Sequence, residues 1–309
     1  MKKCLFLYFL VLSFVLKAQQ SEQYSQYSFN NFGYNPAFLG TIQCVDFRLG
    51  SRAQWLGFEG APVSSFISMQ YALKKKHNNK SGKHAVGLYV NQDEVHLTTR
   101  TTVKLAYAYT TRLSSKYTLS TGVFVGVQQY KTGFKGEMTT NDPVLASVEG
   151  SVLRYPDIMP GVLLYSKSVY WSFSINQLFF KSINLGQDQK QVNQYYFGAG
   201  QKSLHGDWTI FKSFLLRWNV MAPPSLDLNM AWLYRESVSF GLGYRVGESA
   251  IANVKFNLGG LKIGYAFDYP LNKLIGNYGH EIMIGFSNCS AGGAGSGSRV
   301  KPYVCPAYN

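Results

Sequence analysis

Leu261, Ile263, Tyr265, Phe267 and Tyr269 occupy alternate positions, with Lys262, Gly264, Ala266 and Asp268 between them. The same two-residue period sets Val238, Phe240, Leu242, Tyr244 and Val246 against Ser239, Gly241, Gly243 and Arg245. It recurs in Val169, Trp171, Phe173 and Ile175 against Tyr170, Ser172, Ser174 and Asn176. A strand points successive side chains to opposite faces, so this alternation predicts strands with one apolar face and one small or polar face. About fourteen such segments follow residue 42. They lie near 43–51, 64–73, 85–92, 98–111, 117–130, 158–166, 169–176, 193–202, 208–219, 225–234, 237–246, 250–258, 261–269 and 280–287.

A soluble sandwich alternates as well, and two details favour a closed barrel instead. The non-apolar face is rich in Gly, Ser and Ala rather than Lys and Glu, which suits a crowded lumen. Loop length also alternates. The connections 112–116, 167–168, 203–206, 235–236 and 259–260 are short, whereas 52–63, 131–157, 177–192 and 270–279 are long. Short turns on one rim and long loops on the other mark an outer-membrane barrel, with the short turns facing the periplasm. The fold expected is therefore all-β: a transmembrane antiparallel β-barrel of about 14 strands with both termini periplasmic. One connection, 74–84 with its run Lys74-Lys75-Lys76, is long on the short rim.

The stretch Arg52-Ala53-Gln54-Trp55-Leu56-Gly57-Phe58-Glu59-Gly60-Ala61-Pro62 follows neither period, so it is neither strand nor helix. Trp55 and Phe58, flanked by Gly57 and Gly60, present aromatic faces from an irregular loop. Arg52 either pairs with Glu59 or stacks on an aromatic ring. Two readings stand: a loop plug packed into the lumen, or a recognition loop for a partner. Arg52, Gln54, Trp55, Phe58 and Glu59 are its candidate residues.

The ends are organised differently. Lys2 and Lys3 precede the apolar run 5–16, and Ala18 offers a small residue for cleavage, the pattern of a secretory signal peptide over 1–18. Residues 19–42 form a polar and aromatic lead-in, ending in an Asn35-Pro36 turn, that is either disordered or docked inside the barrel. The barrel itself spans 43–287. Residues 288–309 combine a Gly/Ser linker, 290–298, with a tail containing Cys305.

Composition sharpens this picture. Aromatic residues make up 16% of the chain and charged residues only 15%, a balance that suits strands facing lipid. After the leader no apolar run is long enough for a membrane helix. The formal charge of +14 points, for an exported protein, to anionic lipid headgroups, polysaccharide or an acidic protein rather than nucleic acid. Three cysteines follow the leader, Cys44, Cys289 and Cys305, enough for one disulfide and one free thiol. A Cys44–Cys289 bond would staple the seam between first and last strands, and Cys289–Cys305 would close the tail loop.

Enzymatic signatures are missing. His77, His84, His96, His205 and His280 show no metal spacing, no Gly-x-Ser-x-Gly elbow occurs, and Gly241-Leu242-Gly243 does not open a helix. The expectation is a non-enzyme with no cofactor and no metal.

The pattern Gln23-Tyr24-Ser25-Gln26-Tyr27, then Asn35-Pro36-Ala37 and Gly40, then Arg52-x-Gln54-Trp55-x-Gly57-Phe58-Glu59-Gly60-Ala61-Pro62, resembles the PorP/SprF family of type IX secretion in Bacteroidota. The resemblance continues through Pro156-Asp157 with Gly161, Pro224 with Leu226-Asp227, Gly264-Tyr265-Ala266-x-Asp268 and Gly279-His280-Glu281-Ile282, and stops near residue 287. It implies a barrel working beside the type IX machinery, gliding included. Its partners would be machinery components or a secreted adhesin-like surface protein, along with outer-membrane lipids. Partner choice is then expected in the loops 131–157 and 177–192. A passive channel for small anionic solutes and a soluble carbohydrate-binding sandwich are the alternatives.

Overall fold

Fourteen alternating segments pair edge to edge, each antiparallel to its neighbours, and the first pairs with the last to close a barrel. The computed structural model describes residues 22–42, 44–73, 82–132, 152–178, 182–184, 188–190, 192–220, 222–271, 277–288 and 305–307. The expected signal peptide, the Gly/Ser linker, Cys289, the run Lys74-Lys75-Lys76 and most of the loop 131–157 lie outside the described residues.

The strands are β1 (Val45–Ala53), β2 (Val63–Ala72), β3 (Lys83–Val95), β4 (Thr98–Arg112), β5 (Thr118–Thr132), β6 (Val152–Tyr165) and β7 (Val169–Asn176). A separate hairpin of β8 (Ser182–Asn184) and β9 (Asp188–Lys190) follows. The barrel resumes with β10 (Gln194–His205), β11 (Trp208–Asn219), β12 (Ala222–Tyr234), β13 (Val238–Arg245), β14 (Ser249–Leu258), β15 (Leu261–Pro270) and β16 (Gly279–Asn288). At the seam, Val45 stands opposite Asn288 and Ala53 opposite His280. Closure gives every barrel strand a neighbour on each side, as a sheet placed in lipid requires.

The alternation sorts side chains as the sequence dictates. Leu105, 67% exposed, and Ile67, Val125, Leu242, Ile282 and Phe286 point outward, forming an apolar belt that only lipid would cover. Ala106, Ala108, Phe124, Met159, Ala266 and Met283 point inward and are buried. No helix among the described residues is long and apolar enough to cross a membrane.

Several strands outrun the apolar pattern. β3 extends to Val95 and β6 begins at Val152. In these extensions Asp93, Glu94 and Arg154 interrupt the apolar alternation, while ladder pairing continues above the belt. Hydropathy sees the belt; the ladder needs only backbone.

The lumen is not empty. Residues 22–42 run down its interior through a single helical turn, α1 (Asn31–Tyr34), and a 3₁₀ turn over Pro36–Phe38. Tyr24, Tyr27, Phe29, Phe32, Phe38 and Leu39 are all buried there.

Candidate functional site: a clamped segment in the lumen

The lead-in has no periodic face and no partner strand, so its backbone groups must find partners elsewhere. Acids on the inward faces of the last strands supply them. Glu281 of β16 accepts the Ser25 N–H at 2.7 Å and the Gln26 N–H at 2.8 Å. Asp268 of β15 accepts the Ser25 hydroxyl at 2.5 Å. Between these carboxylates lies Arg52 of β1, 2.5 Å from Asp268 and 3.9 Å from Glu281, with another N–H on the Gln23 carbonyl. Hydrogen bonds to ionised groups are the strong ones, and here every ion is also paired.

The clamp spreads around the wall. Asp227 of β12 accepts from Arg217 at 2.8 Å and Arg245 at 2.9 Å, and Arg217 reaches on to the Gln23 amide oxygen. Arg100 of β4 pairs with Glu22, and Arg48 donates to the Phe29 carbonyl while pairing with Asp46 at 2.7 Å. Lys104 and Asp157 close to 2.8 Å beside a small polar cavity lined by Glu22, Tyr24, Asn91 and Gln128.

Packing does the rest. Phe32 lies against Phe124 and Tyr89, Tyr24 meets Phe66 edge-on, and Tyr34 meets Tyr196. Burial pushes the Tyr24 and Tyr27 hydroxyls well above the usual phenol range, so both stay protonated, Tyr24 donating to Asn91 at 2.9 Å. The wall opposite Asn35 is Gly161, where a Cβ would collide with the Asn35 side chain. That amide is in use, since Asn35 Nδ2 donates to the Val162 and Phe173 carbonyls.

The family model for type IX secretion system membrane proteins matches residues 16–286, taking in all of the lumen segment 22–42 and nearly all of the wall. The chain belongs to the PorP/SprF family. It is thus an outer-membrane β-barrel of type IX secretion. No curated protein matches it. Among solved structures it is similar to the toluene transporter TbuX of Ralstonia pickettii, at 9% identity and TM-score 0.53, over 83% of this chain and 92% of that one. It is also similar to CymD, a monoaromatic hydrocarbon channel, at 10% identity and TM-score 0.51, over 84% and 91%. These likenesses show the barrel fold alone.

Most stretches that carried the PorP/SprF resemblance converge on the clamp: Gln23 to Tyr27, Arg52, Asp227, Asp268 and Glu281 meet around one knot of charge, with Asn35 and Gly161 below it. The stretch 52–62 divides. Arg52 ends up inside, bound to Asp268 and Glu281 rather than to Glu59 or a ring, and the segment filling the lumen is 22–42 rather than this loop. Gln54 and Trp55 are half-buried on the rim, while Phe58, 58% exposed, and Glu59 face outward. The loop is shaped by left-handed backbone at Trp55, Gly57 and Gly60. It is tied to its neighbours by Leu56 N–H to the Tyr278 carbonyl and His96 N–H to the Gly60 carbonyl, both 3.0 Å.

The cysteines divide too. Cys44 is disulfide-bonded, while Cys305 is a free thiol and fully buried, which removes a Cys289–Cys305 bond. Cys305 packs with Phe38, Ile42, Tyr165 and Tyr170 at the short-turn end of the lumen, and Asn31 donates to the Ala307 carbonyl. Burial pushes its thiol up to about 12. Glu22 binds Arg100 near the long-loop rim, and from there the lead-in descends the lumen to the start of β1.

The residues missed as site residues are Asp227, Arg245, Asp268 and Glu281. Their signal was a charged residue on a strand face otherwise made of Gly, Ser and Ala.

Proposed function

We propose that this protein is a plugged, non-enzymatic station of type IX secretion that holds a secreted surface protein, or a machinery component, at its long-loop rim. The observation that supports it is the clamp. A conduit for solutes has no use for a lumen filled by its own lead-in and tied by paired ions on β1, β4, β11, β12, β13, β15 and β16. The rim loop then has its own task. Trp55 and Phe58, held in place by backbone bonds to Tyr278 and His96, offer the rigid aromatic anchors that protein interfaces favour. Glu59 and Gln54 would frame them, and Arg52 would connect the rim to the clamp. Export and surface attachment of an adhesin-like protein is the role this arrangement fits. We further assign the partner of Cys44 as Cys289, which would staple the seam.

Deleting the gene is expected to leave the outer membrane intact while one class of surface protein is lost or released. Unchanged surface proteins would sink the proposal. A double change, Trp55→Ala with Phe58→Ala, is expected to reproduce the loss with the barrel still folded. Planar-bilayer recording separates the channel alternative: steady conductance of the intact protein would support a passive pore.

A further inference from the structure

The outward face of β3–β6 changes character from one row of the ladder to the next. Val90, Val103, Val127 and Pro156 stand side by side as an apolar row of the lipid-facing belt. One pleat nearer the long loops the row reads Gln92, Thr101, Gln129 and Arg154, and the next reads Glu94, Thr99, Lys131 and Val152. In other sectors of this rim the outward positions near the loops are aromatic. Tyr195 stacks on Trp218 with 5.2 Å between ring centres, and Tyr269 lies 5.8 Å from Tyr278. Such rings mark the boundary between hydrocarbon and headgroups. On β5 and β6 two cations stand in their place.

Both cations are exposed. Arg154 donates through Nε to Gln129 Oε1 at 2.9 Å, and its guanidinium keeps four further N–H donors. Lys131 faces Val152 and lies diagonal to Arg154 on the same side of the sheet. The outward positions around the pair are Thr99, Thr101, Val127, Gln129, Val152 and Pro156, none of them acidic. Glu94, the acid in the Lys131 row, is two strands away on β3. Directly beneath, Val127, Val125, Val103 and Leu105 expose an unbroken apolar column.

We infer that Lys131 and Arg154 seat the phosphate of an anionic lipid in the leaflet at the long-loop rim. The planar fork of an arginine matches phosphate oxygens, and the lysine adds a point charge beside it. Thr101 and Gln129 supply neutral hydrogen-bonding groups at the same level, and the acyl chains lie along the apolar column. That column selects a lipid over a soluble anion, which would use the cations and leave the apolar surface uncovered. The face points away from the lumen, so the inference stands apart from whatever the rim loop holds.

The test uses the full-length protein in non-ionic detergent, titrated with diphosphoryl lipid A and read by native mass spectrometry. Wild type is expected to bind the lipid, and K131Q/R154Q to bind it at least about ten-fold more weakly. R112Q, at the short-turn rim, should bind as wild type does. Heat-modifiable gel mobility checks that each barrel is closed. Equal binding by wild type and the double variant would overturn the inference. So would displacement of the lipid by equimolar inorganic phosphate, which would make the pair a free-anion site. Unchanged lipid binding together with loss of a surface protein from cells carrying the double variant would assign the pair to a protein contact instead. Should the double variant not close, the single changes decide: weaker binding by both K131Q and R154Q supports the seat, and wild-type binding by either refutes it.

Discussion

Glu281 on β16 and Ser25 in the lumen segment stand 256 positions apart in the chain, and the Ser25 N–H donates to Glu281 Oε2 across 2.7 Å. The same carboxylate takes the Gln26 N–H, so one acid satisfies two consecutive backbone donors of a segment with no ladder of its own. Arg52 balances the charge from the neighbouring strand.

Removing that acid should free the upper plug before it disturbs the barrel. Glu281→Ala strands two buried N–H groups and leaves Arg52 with Asp268 alone, a cost of about 3 kcal/mol or more. Protease is expected to cut within residues 22–30 of the variant in folded barrels, and planar bilayers should show conductance that wild type lacks. A variant as resistant and as silent as wild type would refute the clamp.

Space at Gly161 makes a second prediction. A valine there would push on the Asn35 side chain, which spans to the Val162 and Phe173 carbonyls. Gly161→Val is expected to destabilise plug seating by about 1–3 kcal/mol, read as lowered thermal resistance of the plug in proteolysis. An alanine substitution at Asn35 combined with Gly161→Val should recover part of the loss, since it removes the colliding group.

The outer belt predicts depth-dependent tolerance of charge. Leu105 lies at the middle of β4 and Val63, 42% exposed, is the outward-facing first residue of β2 at the long-loop rim. Leu105→Arg is expected to cost about 2–4 kcal/mol and Val63→Arg about 0–1 kcal/mol, measured by reversible folding into vesicles. Equal penalties would contradict the placement of the belt.

Cys305 supplies a pH-dependent test. Its thiol is pushed from 9.0 up to about 12, so at pH 8 it carries about a thousand-fold less thiolate than an ordinary thiol. Maleimide should label the native protein slowly and the denatured protein at once. Because the folded pKa is raised, the docked tail loses stability as pH rises from the ordinary thiol range toward 12, and labelling should accelerate beyond simple ionisation in that window. Rapid labelling at pH 8 would show that the tail is not docked.

The barrel was legible because lipid on one side and a lumen on the other impose opposite demands on successive residues. Leu261 to Tyr269 and Val238 to Val246 record those demands directly. The ends of β3 and β6 were not legible, since above the belt the outward face no longer needs to be apolar. The plug was only half legible. Gln23 to Phe32 has aromatic content without a period, which marks burial but not where. Asp268 and Glu281 looked like polar residues on a small-residue face; only the register of β15, β16 and β1 brings them to Arg52 and Ser25. The Arg52 to Pro62 stretch read as one unit because it is continuous in sequence, yet the strand end at Ala53 cuts it into an inward arginine and an outward loop.

The order of the chain bears on how this molecule is assembled. The segment that fills the lumen comes first, and the acids that grip it, Asp268 and Glu281, come on the final hairpin. Until β16 meets β1 there is no cavity for residues 22–42 to occupy and no full set of carboxylates to receive them. Contacts of such long sequence separation are slow to form, so filling and closure become a single late event. A barrel interrupted before its last hairpin would carry a loose aromatic leader, a recognisable sign of incomplete folding.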